Sequence, residues 1–144
     1  MIAIGQVSTA DPGSGSVRVT FPDCDDIVSA PLPVIVPGGW ARTQSLPNPG
    51  ETVLCLFLGA DRSSGFCLGS YYTEETAPPS GPDESGVWFE DGSYVVYDRS
   101  SRELKIKAAS GIRVEGGAAV LGSVNIAGNL TVTGTVTATD VREG

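Results

Sequence analysis

The sequence predicts an all-β protein built from short strands and tight turns. Its 144 residues include 19 glycines and 10 prolines, which is more than helical proteins usually contain, and 40% of the residues are hydrophobic. Apolar and polar residues alternate in short segments, and no long segment has the spacing of an amphipathic helix. The chain therefore has enough apolar residues for a core, and their pattern places them on strands.

Five strands are predicted in residues 1–76, which we assign to a first domain. The turn-rich segment DPGSGS joins the first two strands and predicts a hairpin, and the continuous apolar run from Val53 to Leu58 predicts a strand buried on both faces. Five short strands favour a small barrel of the OB (oligonucleotide/oligosaccharide-binding) type, with a five-stranded sandwich as the alternative. The strands are expected at residues 1–7, with a break at Gly5, and at 16–21, 32–37, 51–59 and 65–72.

Residues 77–86 are predicted to be a linker, because they are rich in Pro, Ser and Gly and have no apolar periodicity. Residues 87–115 are predicted to form a β-hairpin region. The segments EDGS and DRSSRE are turn-forming. After the second turn, Leu104, Ile106 and Ala108 alternate with Lys105 and Lys107, which indicates a strand.

Residues 116–141 repeat with a period of six. The hexads GGAAVL, GSVNIA, GNLTVT and GTVTAT each begin with glycine, and their third and fifth residues are apolar or small. Residues two apart face one way on a strand, so each hexad presents an apolar stripe, and glycine allows a corner between hexads. The predicted corners are Gly116, Gly122, Gly128 and Gly134.

A single ribbon of this kind cannot bury its own stripe. Four hexads make little more than one coil of a three-sided solenoid, whereas three intertwined chains would enclose a narrow core without free sheet edges. The sequence therefore favours an intertwined trimeric β-helix or β-prism. Its predicted core residues are Val120, Val124, Ile126, Leu130, Val132 and Val136.

Charge and residue types exclude several functions. The net charge of −8 opposes binding to a nucleic-acid backbone, and the absence of histidine excludes Ser/His/Asp and Cys/His catalysis and the usual zinc sites. We predict no catalytic, cofactor-binding or metal-binding residues. The three cysteines are expected to be structural thiols, and the absence of a signal or membrane segment suggests a chain made in the cytosol.

Three further motifs have ordinary interpretations. The acidic segment FPDCDD (residues 21–26) is expected to be a solvated loop rather than a cation site, and GADRSSG (residues 59–65) is expected to be a hairpin loop rather than an anion-binding loop. The dispersed aromatic residues are expected to pack in the core or in interfaces. They are Trp40, Trp88, Tyr71, Tyr72, Tyr94 and Tyr97.

The order of these parts resembles a known family. A small barrel containing LPNPGETVLCLFLG and GFCLGSYY, a Pro-rich linker, an EDGSYVVYD hairpin and a terminal β-ribbon are similar to baseplate assembly protein V, the central spike of contractile phage tails. Spike proteins of type VI secretion and related injection systems share this plan.

The resemblance implies a homotrimer in the tail baseplate of a virion, assembled in the cytoplasm of a bacterial host. Its barrels would attach to the tail hub protein, and its β-helix would point at the target cell envelope and help pierce it when the sheath contracts. Many members end in an HxH apex that binds iron, and this chain has no histidine. We therefore expect an apex without iron that is blunt or closed by a separate tip protein.

Two alternatives remain open. The first is an OB-type binding module for nucleic acid or saccharide whose ribbon is only a trimerising stalk. The second is a hexapeptide-repeat acyltransferase. The repeat of those enzymes has an aliphatic residue immediately before the small one, and that position here holds Leu121, then Ala127, then Thr133. Those enzymes also rely on a histidine base, so this alternative is disfavoured.

Overall fold

The computed structural model describes every residue from Met1 to Gly144. The chain is all-β: it contains two antiparallel sheets and, apart from a 3-10 turn at Pro22–Cys24, no helix. It divides into an N-terminal unit, Met1–Gly81, and a C-terminal unit, Pro82–Gly144. None of its helical structure has the length and apolar character needed to cross a bilayer.

The N-terminal unit contains one sheet of six strands. Strands β1 and β2 form the antiparallel hairpin that the DPGSGS turn predicts, and β1 also pairs with β5, which pairs with β6. The strands are β1 (Ile2–Asp11), β2 (Ser16–Phe21), β3 (Ile27–Val28), β4 (Leu32–Pro33), β5 (Thr52–Phe57) and β6 (Gly65–Ser70).

The short strand β4 and the residues after it connect β2 to β6, the last strand of the order. Leu32 and Pro33 pair with β2, and the next residue, Val34, forms a parallel bridge with Cys67 on β6. The backbone N–H of Ile35 also donates to the carbonyl of Cys67 at 2.9 Å. The predicted strand at 32–37 is paired along β2 only over its first two residues, after which the N–H of Val34 donates to Gly15 and that of Ile35 to β6.

One face of this sheet encloses the core. Its buried residues come from every long strand, and the rings of Phe21 and Phe57 meet edge to face at 5.7 Å between centroids. The buried hydrophobic set is Ala3, Val7, Val17, Val19, Phe21, Leu32, Val53, Cys55, Phe57 and Cys67.

Two sequence expectations about these strands are wrong. Strand β1 continues through Gly5 instead of breaking there, because the missing side chain lets β2 approach: a Cβ at Gly5 would lie 2.5 Å from the carbonyl oxygen of Thr20. The run from Val53 to Leu58 is buried on one face only. Val53 and Phe57 are inside, while Leu56 and Leu58 are 37% and 69% exposed.

The C-terminal unit begins with a second sheet, of three antiparallel strands in the order β7, β8, β9. The strands are β7 (Glu84–Trp88), β8 (Tyr94–Asp98) and β9 (Glu103–Lys107), so β7 starts inside the segment predicted as linker. The turns predicted at EDGS and DRSSRE join them. Hydrogen bonds from Ser100 and an ion pair with Lys105, at 3.0 Å, hold the pKa of Asp98 below its usual range and fix the second turn.

Candidate functional site

The candidate site is the segment that follows β9. Residues 108–144 form no strand and pair with no strand of the same chain, and each of them is exposed. A backbone without ladder partners is unusual for a segment rich in valine, threonine and isoleucine, which favour strands. The segment therefore has the composition of a sheet but lacks the partner strands of one.

The predicted stripe residues are exposed along the whole segment. Their side chains have no cover from their own chain, although burial of such a side chain typically contributes about 1.5–3 kcal/mol. Because each exposed apolar residue forgoes that contribution, the stripe is a strong candidate for contact with other chains. The exposed fractions are Val120 65%, Val124 64%, Ile126 49%, Leu130 69%, Val132 47% and Val136 65%.

The backbone bends at each glycine that starts a hexad. Bends lie at residue 116, 121–122, 127–128 and 133–134. Gly116 has a φ of 114°, which only glycine adopts readily, whereas Gly122 and Gly128 are near-extended at 158° and 159°. The strict conformational need for glycine is therefore at Gly116, where the hexads begin.

The polar residues of this segment make few contacts. The Arg113 and Glu115 side chains approach to 3.7 Å, and Arg142 donates to the carboxylate of Asp140 at 2.7 Å. All four side chains are mostly exposed, so these ion pairs contribute little to stability. The segment is bonded to the rest of the chain at its start, where the backbone N–H of Ala109 donates to Oγ of Ser93 at 3.0 Å.

A second apolar surface lies on the N-terminal sheet. Residues of β1, β5 and β6 that point away from the core form it, and β1 pairs Ile2 with Leu56 and Ile4 with Leu54 across the sheet. Ile2 is 66% exposed and Ile4 is 52% exposed. We call this surface the outer face; it comprises Ile2, Ile4, Leu54, Leu56 and Leu68.

The acidic segment FPDCDD and the loop GADRSSG meet in space. Arg62 donates two hydrogen bonds of 2.8 Å to the carboxylate of Asp23, and these bonds hold the pKa of Asp23 below its usual value. The arginine is thus engaged inside the protein and does not offer an anion site. No group of three or more His, Cys, Asp or Glu side chains is arranged to hold a metal ion.

The cysteines lie in or beside the core. Cys55 and Cys67 are opposite each other on β5 and β6, and both are fully buried and unbridged, while Cys24 is partly buried. The hydrogen bond between the two thiols and their burial raise the pKa of Cys55. The same hydrogen bond lowers the pKa of Cys67 to about 7. Because both thiols are fully buried, neither is accessible to a reagent in the folded chain, and the pair serves packing.

The tryptophans and tyrosines are not core residues, unlike Phe21 and Phe57. Trp40 is fully exposed and Tyr72 is 61% exposed, whereas Trp88 and Tyr94 are partly buried on β7 and β8. Trp40 and Tyr72 do not pack in the core, because the loops that carry them lie outside the sheet, and for these two residues the prediction of interface packing stays a prediction. A scan of protein-family models and a search of curated proteins found no match to this chain.

Proposed function

We propose that this chain is the structural central spike of a contractile phage tail, or of a related injection system. Three copies would wind their hexad segments together, attach to the tail hub through the N-terminal units and help pierce the cell envelope when the sheath contracts. The observation that carries this proposal is the exposed apolar stripe of residues 116–141, which has no partner within its own chain.

A mechanical role agrees with the chemistry of the residues. Rigidity would come from hydrogen bonds between strands of different chains and from a dry axial core, neither of which needs a catalytic group. Glycine corners and short Ser, Thr and Asn side chains would let three ribbons approach closely around the axis.

The N-terminal unit would be an OB-type barrel that docks on the hub. Pairing of β4 with β2 on one side and of Val34 with Cys67 on the other supports closure of the sheet. The outer face supports docking on another protein, because contiguous exposed apolar patches on soluble proteins often mark interaction sites. An uncharged hub surface would complement it.

The alternative function is an OB-type binding module with the ribbon as its stalk. The fully exposed Trp40, two residues from Arg42, favours it, because an aromatic ring beside a cation can stack with a base or a sugar. The net charge of −8 opposes a nucleic-acid ligand.

Two measurements on the full chain test the proposal. Sedimentation equilibrium should give three times the chain mass of 14.8 kDa, and fluorescence anisotropy with single-stranded DNA at moderate salt should show no binding. A monomer would end the trimeric proposal. Binding of single-stranded DNA that is lost in Trp40→Ala would favour the binding module instead.

A further inference from the structure

The two faces of the sheet β7–β9 differ in chemistry. On one face, Val87, Val95 and Ile106 form one cross-strand row, and Ser85, Tyr97 and Leu104 form the next. Their five apolar members are between 42% and 63% exposed, and the face carries no charged residue. We call it the apolar face of the second sheet.

The opposite face carries the charges, together with the partly buried Trp88 and Tyr94. Its rows contain Glu84, Asp98 and Glu103 at one end and Lys105 and Lys107 further along. Val96, the only buried hydrophobic residue of the C-terminal unit, is also on this face. Side chains on the charged face therefore partly cover one another, whereas the apolar face is uncovered. An antiparallel sheet with one face in water normally does the opposite and buries its apolar face.

The apolar residues of β9 and the stripe residues of the hexads all fall on even-numbered positions. Leu104 and Ile106 on β9 are even-numbered, and so are Ala108, Ile112 and Val114, which link them to the hexads. Every third and fifth hexad residue is also even-numbered, and so is each hexad glycine. Side chains two apart share a face within each extended stretch, and bends at 109–110 and at the hexad glycines separate these stretches. The chain therefore leads from the apolar face to the hexad stripe through residues that keep the same alternation.

We propose that the apolar face of the second sheet packs against the same face of two other copies, so that the interface between chains begins at β7 rather than at residue 116. This inference rests on the proposed trimer and adds a second, wider section to its core. The occupant is another copy because β9 ends at Lys107, nine residues before the first hexad glycine, so three chains that enclose one axis through their hexads also bring their second sheets together. A different partner would have to replace the sister chains at the end of β9.

The size of the face agrees with this occupant. Five half-exposed aliphatic and aromatic side chains form a patch on the order of 500 Å², at the upper end of what a monomer leaves exposed. Together with the hexad stripe, the area approaches the ~800 Å² per partner of a stable interface. Neither section alone reaches it, so the two are expected to act together.

Thiol labelling of the full chain tests the inference. Single cysteines would be introduced into a Cys24→Ser background, as Leu104→Cys and Ile106→Cys on the apolar face and as Glu103→Cys and Lys107→Cys on the opposite face. All four positions are exposed in the isolated chain, and the remaining Cys55 and Cys67 are fully buried. Maleimide reaction rates would be measured by mass spectrometry, with the oligomeric mass of each variant measured in parallel.

The expected result is that thiols at 104 and 106 react about tenfold or more slowly than those at 103 and 107. Loss of the trimer only in Leu104→Cys and Ile106→Cys would support the inference too, since it shows that these positions pack between chains. Equal rates at all four positions in an intact trimer would overturn it and leave the proposed function standing. A monomeric parent chain would overturn both.

Discussion

Arg62 binds Asp23 across 39 residues of sequence and at the same time covers the core ring of Phe21. Its guanidinium lies 4.6 Å from the centroid of Phe21, and both of its hydrogen bonds to the Asp23 carboxylate are 2.8 Å long. The arginine side chain is only 20% exposed. It therefore joins the β5–β6 loop to the turn after β2 and closes one end of the core.

Replacing the charged Arg62 by a neutral residue should make the free energy of unfolding depend less on pH in the range where Asp23 titrates. The folded pKa of Asp23 is lowered from 3.8, first by the hydrogen bonds from Arg62, so its contribution is present above that value and is lost as pH falls through the folded pKa. Arg62→Gln should lower the urea midpoint near neutral pH. The difference from the parent chain should then shrink as the pH falls below about 3.8.

Arg42→Gln is the matched control, because Arg42 is exposed and should shift the midpoint little at any pH. A difference between parent and Arg62→Gln that stays constant into strong acid would show that the ion pair is not what Arg62 contributes. The remaining effect would then belong to its contact with Phe21.

Alternation predicted the strands well where one face is buried. The predicted segments at 1–7, 16–21, 51–59 and 65–72 all contain a strand. In 16–21 the alternating apolar residues face the core, whereas in 1–7 Ile2 and Ile4 face outward and Ala3 and Val7 are buried. The continuous apolar run in β5 led to the wrong prediction that both faces are buried. Apolar residues on its outer side are equally compatible with an interface between proteins. Local pattern cannot separate a core face from a docking face.

The candidate site was predictable from the hexads, but the contacts around Arg62 were not. The stripe can be read from a period of six within one segment, whereas the Asp23–Arg62 pair depends on how two distant loops meet. The apolar face of the second sheet became visible only through the pairing of β7, β8 and β9, which places three separate apolar alternations side by side.

A methyl group at Gly5 should destabilise the N-terminal unit. The added Cβ would lie 2.5 Å from both the Thr20 carbonyl oxygen and Cγ1 of Val19, and the backbone oxygen cannot move without disturbing the β1–β2 ladder. We expect Gly5→Ala to lower the free energy of unfolding by about 1–3 kcal/mol, measured by urea denaturation.

Gly81→Ala is the control for this change. A Cβ at Gly81 would meet nothing within 4 Å, so the variant should unfold within about 0.5 kcal/mol of the parent. Equal unfolding free energies for Gly5→Ala and Gly81→Ala would mean that β1 and β2 can separate enough to accept the added methyl group.

Neighbouring residues at the end of β5 should respond very differently to truncation. Phe57 is 3% exposed and packs on Phe21, so Phe57→Ala should cost about 3–5 kcal/mol of unfolding free energy. Leu58 follows it and is 69% exposed, so Leu58→Ala should cost less than about 0.5 kcal/mol in the isolated unit. Comparable losses at both positions in urea denaturation would show that both sides of this segment are covered in solution.

The hexad stripe can be tested by placing charges on its two sides. Ile126 and Val132 belong to the apolar stripe, and an aspartate there would have to be buried without a partner if three chains enclose an axial core. Ile126→Asp and Val132→Asp should therefore abolish the trimer in sedimentation equilibrium. Thr131→Asp and Thr133→Asp place the same charge on odd-numbered residues, which would face solvent because the stripe is even-numbered, and should leave the trimer intact.

Trimers that survive the changes at Ile126 and Val132 would refute this register. Loss of the trimer in all four variants would mean that added negative charge, rather than the position of the stripe, controls assembly of a chain that already carries −8.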